Sequence, residues 1–419
     1  MSSAGGNAQR RLAEGLVVAA LLAIAALTLA PAPGAPAGPR IVLLGSLADL
    51  LRNIALYIPL GVALALRGAS ARLTWFCGFA LAAAIEIAQL AIPGRASSLD
   101  DVLANALGTG LGHALVRTAP HWLAPARASA RRLERLALLV WLASAGLCAA
   151  LTAPALTAGP WYAHWNPALG TLVPYPGPVL EATLAGQALV HGAIADVVAA
   201  RAALGAGEAL RVRAISAGPA AGFEAIFLVS DARDREVMLL ALNGEDLVYR
   251  YRSRARALGL EPAVLRAHAA WRGAGSETPV ALGIWRAGAS LCLARDANVS
   301  CGHGFSAGSG WTLVLPVLEF PPGLATSLDA LWLAGLALPL GLWYRAGAAS
   351  RLVLALAAAP LVILPASGLL LPTPFAQWLA AAAGWLAGRL LRSGGGGRQS
   401  RGRECPCRAA RTSPARAPR

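Results

Sequence analysis

Residues 97–112 read SSLDDVLANALGTGLG: Asp100 and Asp101 head an apolar run that carries Asn105 and then glycines at 108, 110 and 112. Two other apolar stretches hold comparable groups. ADLLRNIALYIPLG contains Asp49, Arg52 and Asn53, and AAAIEIAQLAIPGR contains Glu86, Gln89 and Arg95. On helices, Asp49 and Asn53, like Asp101 and Asn105, are i,i+4 pairs, and Glu86 and Gln89 are an i,i+3 pair, so each pair faces one way. An unpaired charge within hydrocarbon costs about 2.5–3.5 kcal/mol on insertion scales. Glu86, the deepest of the set, must therefore be protonated, paired with Arg52 or Arg95, or turned toward a wet pocket. Such a set can hold the polar part of an amphiphile. Glu86 and Asp101 could also act as acid and base, or with Asp100 hold Mg²⁺ against a lipid diphosphate, since Mg²⁺ favours carboxylates plus phosphate. Plainer roles exist residue by residue. An acid at a helix head caps it, Arg52 can snorkel, and Asn105 with Gly108 and Gly112 can pack helices closely. Capping does not account for Glu86, Gln89 and Arg95 together. The expectation is a ligand-binding pocket formed by Asp49, Arg52, Asn53, Glu86, Gln89, Arg95, Asp101 and Asn105.

Other chemistry is sparse. The six histidines, at 113, 121, 164, 191, 268 and 303, form no H-x-x-x-H or H-E-x-x-H arrangement. There is no P-loop and no Gly-x-Ser-x-Gly with assignable partners. No catalytic residue, metal or cofactor is assigned.

The elements that must position the polar set are apolar. The chain has 419 residues, 57% hydrophobic and 14% charged, with mean hydropathy +0.57. Soluble domains carry about 25% charged residues, so the deficit, with apolar runs near the length of a bilayer span, indicates a polytopic α-helical membrane protein. Spans are expected near 12–30, 47–66, 73–92, 101–117, 136–156, 326–344, 352–371 and 375–392. The first resembles a signal peptide, with Arg10 and Arg11 before an apolar run, but is long for one and reads as a retained helix. Every basic residue is Arg, as in a high-GC bacterial genome. The arginines at 10–11, 67 and 72, 117–135, 345 and 351, and beyond 389 all fall on one side if there are eight spans. The positive-inside rule then places both termini in the cytoplasm of a bacterial inner-membrane protein.

The tail from 389 to 419 carries nine Arg and one acid, Glu404. Beside apolar helices this marks the cytoplasmic side and touches anionic lipid rather than nucleic acid. Residues 393–419 read as a disordered tail in which Cys405 and Cys407 stay reduced. Cys77 and Cys148 fall in apolar segments as packing.

The segment 157–322 differs, balancing 13 Arg against 13 Asp plus Glu. Short apolar or alternating runs such as FEAIFLVSD, EVMLLALNG and VALGIWRAG are separated by turn residues, which argues for an all-β sandwich inserted between membrane domains 1–156 and 323–392. The alternation in LVYRYRSR gives one strand a strongly cationic face. CGHGFSAGSG reads as a flexible connection. The orientation of the spans makes this domain extracytoplasmic, where Cys292 and Cys301 could pair as a disulfide. Asp231, Asp234, Glu245 and Asp246 could be calcium ligands, but turn chemistry explains them.

The motifs D-x-x-R-N-I-x-x-Y-I-P-L-G, I-E-I-A-Q and G-R-x-S-S-x-D-D-V-x-x-N-x-x-G-x-x-x-G, over about residues 40–120, resemble the VanZ-like membrane domain. Its typical residues match at Asp49, Asn53, Pro59, Gly61, Glu86, Gln89, Arg95, Asp101, Asn105 and Gly108. The resemblance implies a membrane domain with an envelope or antibiotic-resistance-like accessory role and no particular reaction. The central segment is more weakly similar to concanavalin A-like and laminin-G-like domains, which implies glycan or protein binding. The expected function is thus binding of a lipid-linked or amphipathic envelope molecule at the outer membrane face, with membrane lipids and a glycan or envelope protein as partners. An enzyme or transporter acting on a lipid-linked polysaccharide precursor is the alternative, and a scaffold locked by its polar cluster a third reading.

Overall fold

The computed structural model describes residues 3–30, 40–42 and 45–396. Its helices are α1 (Ser3–Thr28), α2 (Leu47–Leu66), α3 (Ala71–Gln89), α4 (Leu99–Leu123), α5 (Arg127–Thr152), α6 (Val197–Ala206), α7 (Arg254–Ala257), α8 (Pro322–Trp343), α9 (Ala348–Ala366) and α10 (Phe375–Gly396). The long ones fall on the eight apolar stretches of the sequence. Six of them, α1, α2, α3, α5, α8 and α9, are long and apolar enough to cross a membrane. The other two fall short for visible reasons. Helix α4 spends its first turn on Asp100 and Asp101 and buries polar groups and glycines inside the bundle, and α10 carries Arg389 and Arg392 and ends in glycines.

Local signals set the helix starts. Ser46 and Asp49 form a reciprocal capping box at the head of α2, and the Ser70 hydroxyl accepts the Leu73 amide at the head of α3. Glycines set the packing of α2 on α4. A Cβ on Gly108 would run into the Ile54 backbone carbonyl, one on Gly112 into that of Ile58, and one on Gly61 into that of Thr109. The two backbones therefore touch, as small residues permit between membrane helices. Gly341, Gly384 and Gly388 do the same between α8 and α10.

Between α5 and α8 lies a β-rich region. Its strands are β3 (Trp161–Trp165), β4 (Val173–Pro174), β5 (Val179–Leu184), β6 (Gln187–Ala188), β7 (Gly192–Ala193), β8 (Leu210–Ile215), β9 (Phe223–Asp231), β10 (Glu236–Asn243), β11 (Asp246–Tyr251), β12 (Ala263–Ala267), β13 (Pro279–Ala287), β14 (Ser290–Arg295) and β15 (Asn298–His303), after an outlying pair, β1 (Arg40–Val42) and β2 (Ala96–Ser98). One sheet runs β12-β11-β10-β9-β3-β7 with β4 beside β9, the other β15-β14-β13-β8-β5-β6. Every pairing within them is antiparallel except β4 with β9. Phe227 and Val229 of the first sheet and Val212, Leu282 and Leu293 of the second belong to one apolar core. Ala225, Leu228, Leu239 and Val248 form a further core with Leu169, Leu172 and Leu318. Strands β9 and β10 are thus buried on both faces, which is why they read as continuous apolar runs.

Two expectations about this region fail. The strand holding LVYRYRSR has no cationic face: Arg250 is paired with Glu236 through two hydrogen bonds, the strand ends at Tyr251, and Arg254 belongs to α7. Nor is the glycine-rich connection loose. Ala307–Leu313 is a fully buried 3-10 helix. The Trp311 indole donates to Asp329 Oδ1 at 2.7 Å, and Gln377 Nε2 donates to Ser306 at 2.7 Å. Asp329 and Gln377, polar groups near the heads of α8 and α10, hold it in place. Cys292 and Cys301 are joined across β14 and β15. The tail with Cys405 and Cys407 lies outside the described residues.

The helix ends sort into two levels. Thr152 accepts from the Tyr251 hydroxyl at 2.9 Å, Ala48 donates to Gly259 at 3.0 Å, and Leu371 donates to Phe305 at 2.8 Å. The head of α2, the end of α5 and the α9–α10 turn therefore meet the β-rich region. At the opposite level, Arg67 approaches Glu14, Arg345 donates to the Pro125 carbonyl at 3.2 Å, and Trp343 to that of Trp122 at 2.6 Å.

Candidate polar site at the ends of α2, α3 and α4

The polar residues of the three helices divide into three groups. The first is a core group. Asn53 Nδ2 donates to Asp101 Oδ1 at 2.6 Å, joining α2 to α4. Glu86 of α3 is 6% exposed and accepts the Ser98 backbone amide at 2.7 Å. Its carboxyl lies near Asp101 and the Tyr57 hydroxyl. Asn105 is 2% exposed, one turn along α4 from Asp101. Among the described residues, two atoms here are buried without a hydrogen-bond partner, Tyr57 Oη and Asn105 Oδ1. Native interiors leave few such atoms, and each calls for an explanation.

The second group faces the β-rich region. Arg52 pairs with Asp49 on its own helix and, through the other nitrogen, with Glu261 at 2.9 Å. Burial raises the Glu261 carboxyl from its ordinary value, and the adjacent Arg52 guanidinium opposes that rise. Asp49 also serves the capping box of α2. Asp100 accepts the Gly45 amide at 2.6 Å, fastening the chain before α2 to the head of α4.

The third group closes α1. Gln89 donates to the Thr28 carbonyl at 2.9 Å, and Arg95 to those of Ala30 and Leu27 at 2.8 and 3.1 Å. A helix end leaves such carbonyls unsatisfied, and a cation there also complements the helix dipole. Gln89 Oε1 remains buried and unpartnered.

All eight expected residues thus lie at one end of the bundle, but Glu86 pairs with neither Arg52 nor Arg95. Strand β1 pairs in parallel with β2, which ends at Ser98, the residue whose amide donates to Glu86. Tyr57 was missed from sequence although it stands four residues after Asn53, continuing the stripe of Asp49 and Asn53. The stripe on α4 likewise continues: the Thr109 hydroxyl donates to the Asn105 carbonyl at 2.9 Å, and His113 Nδ1 lies 3.2 Å from the Thr74 hydroxyl of α3. Among the described residues no three His, Cys, Asp or Glu side chains could hold a metal ion. Asp231, Asp246 and Glu245, weighed as calcium ligands, are engaged by Arg235, Arg266 and Arg272.

The VanZ/LLP1 family model matches residues 17–120, from within α1 to near the end of α4. That span holds every residue of the polar site except Glu261. No curated protein and no solved structure matches the chain.

Proposed function

We propose that the chain is a multi-pass protein of a bacterial inner membrane whose polar site engages the hydrophilic part of a lipid-linked or amphipathic envelope molecule. In this reading both termini are cytoplasmic. The β-rich region is an extracytoplasmic sandwich that binds a glycan or envelope protein, and the role is accessory, in the envelope or in antibiotic resistance. One observation carries it: Tyr57 Oη and Asn105 Oδ1 are buried and unpartnered beside Glu86 and the Asn53–Asp101 pair. A purely structural lock satisfies its polar atoms, because each one left unmade costs about 1–3 kcal/mol. A bound polar group supplies the missing partners. The match over residues 17–120 and the single-level clustering of the polar residues support the placement.

The test uses full-length protein in nanodiscs, lipid extract from the host envelope, and native mass spectrometry of what is retained. Wild type should retain an envelope amphiphile that Glu86→Gln and Asn105→Leu lose, with the same yield of folded protein. Retention unchanged in both variants would refute the site. Loss of folded protein in step with loss of the amphiphile would assign the cluster to helix locking instead. The proximity of Glu86 and Asp101 also suits acid–base work on a lipid-linked precursor. That reading requires Asp101→Asn to abolish turnover while retention persists.

A further inference from the structure

A recess lies away from the polar site, where the β-rich region meets the ends of α5 and α9. It has a volume of about 140 Å³ and is lined by Thr152 at the end of α5, by Tyr251, Arg286 and His303 of the sheets, and by the Gly368–Leu371 turn after α9. A smaller recess of about 40 Å³ shares Pro154, Tyr251, Arg286 and Leu291 with it, so the two adjoin at Arg286.

The lining has an uneven chemistry. Among the described residues Arg286 makes no ion pair, although its backbone amide is fixed to the Gly207 carbonyl at 2.8 Å. No carboxylate lines the larger recess, and Glu208 lines only the smaller one. Tyr251 is spoken for, donating to Thr152. The turn after α9 adds an apolar lining: Leu370 is buried in the core, whereas Leu369, beside it, is 58% exposed. His303 is opposite Leu291 in the β14–β15 pairing, on the hairpin that Cys292–Cys301 closes. His303 Nε2 lies 2.9 Å from the Ser300 hydroxyl, so Arg286 is the cation of this lining and shares the recess with the apolar turn.

From this placement we infer that the recess is a phospholipid site, in which the Arg286 guanidinium receives the anionic headgroup of a bilayer lipid and the Leu369–Leu371 turn receives the start of its acyl chains. An unpaired guanidinium suits a phosphate, which it can meet with two parallel hydrogen bonds. A position at the helix ends puts that cation at headgroup depth, where anionic lipid is available from the bilayer. The site is independent of the α2–α4 cluster, and the two can fail separately.

Full-length protein in mixed micelles, titrated with phosphatidylglycerol or phosphatidylcholine and read by native mass spectrometry, tests this. One phosphatidylglycerol should be retained in preference to phosphatidylcholine. Arg286→Ala should weaken that retention about tenfold, the scale of one lost charge-assisted contact, and Arg286→Lys should recover part of it. Leu369→Asn, at an exposed position, should weaken it without altering the Cys292–Cys301 bond. Equal retention of phosphatidylcholine, or indifference to both Arg286→Ala and Leu369→Asn, would overturn the assignment. Displacement of the lipid by inorganic phosphate at millimolar concentration would overturn it too, in favour of a free-anion site.

Discussion

At the scale of single residues, the most informative acids are those whose partners the structure fixes. Asp231 closes the β9–β10 turn. Burial by itself would raise its carboxyl, but hydrogen bonds from the Arg235 side chain and from the Arg233 and Arg235 amides outweigh that and bring it down to about 2, against an ordinary 3.8. A carboxyl lowered on folding stabilises the native state above its unfolded value, and the stabilisation fades as pH falls through the folded one. Asp231→Asn should therefore lower stability at neutral pH by roughly 1–2 kcal/mol, the lower figure reflecting the half-exposed Arg235. The gap to wild type should close between about pH 4 and about pH 2, as thermal unfolding in detergent at stepped pH would show. A gap independent of pH would mean that the carboxylate is not what holds the turn. Sequence spacing put Asn53 and Asp101 on polar stripes of their own helices, and the structure joins those two stripes through the Asn53–Asp101 hydrogen bond. Spacing could not reveal the partner of Arg52, since Glu261 lies 209 residues away and is brought near only by the docking of the β-rich region.

At the scale of elements, the hydropathy pattern gave the positions of the long helices, and turn residues bounded the longer strands. Burial of Ala307–Leu313 was not legible. A Gly- and Ser-rich run looks like a connector, and the partners that hold it, Asp329 of α8 and Gln377 of α10, lie in later helices whose docking the sequence does not show. The glycines of α4 permit a sharper test. Gly108→Ala drives a methyl into the Ile54 carbonyl and should destabilise the protein by about 1–3 kcal/mol, the usual penalty of overpacking. Gly146→Ala, on α5, meets nothing within 4 Å and should leave the unfolding temperature unchanged or slightly raised, since Ala exceeds Gly in helix propensity by about 1 kcal/mol. Equal effects of the two substitutions would rule out backbone contact between α2 and α4 as the organising feature of the bundle.

At the scale of the whole molecule, three features share one level. These are the polar site on α2–α4, the Arg52–Glu261 bridge and the recess around Arg286, all where the helices meet the β-rich region. Arginine-bearing turns occupy the other level. The sequence located this division through the asymmetry of its arginines, but the choice of which level faces the cytoplasm rests on the positive-inside rule. That choice decides whether the polar site can receive an envelope molecule at all. Arg233, exposed in the β9–β10 turn, offers a direct probe. Replaced by cysteine in full-length protein expressed in a bacterial host, position 233 should react with a membrane-impermeant maleimide in intact spheroplasts. Labelling that appears only after lysis would put the β-rich region and the polar site in the cytoplasm and contradict the proposed function.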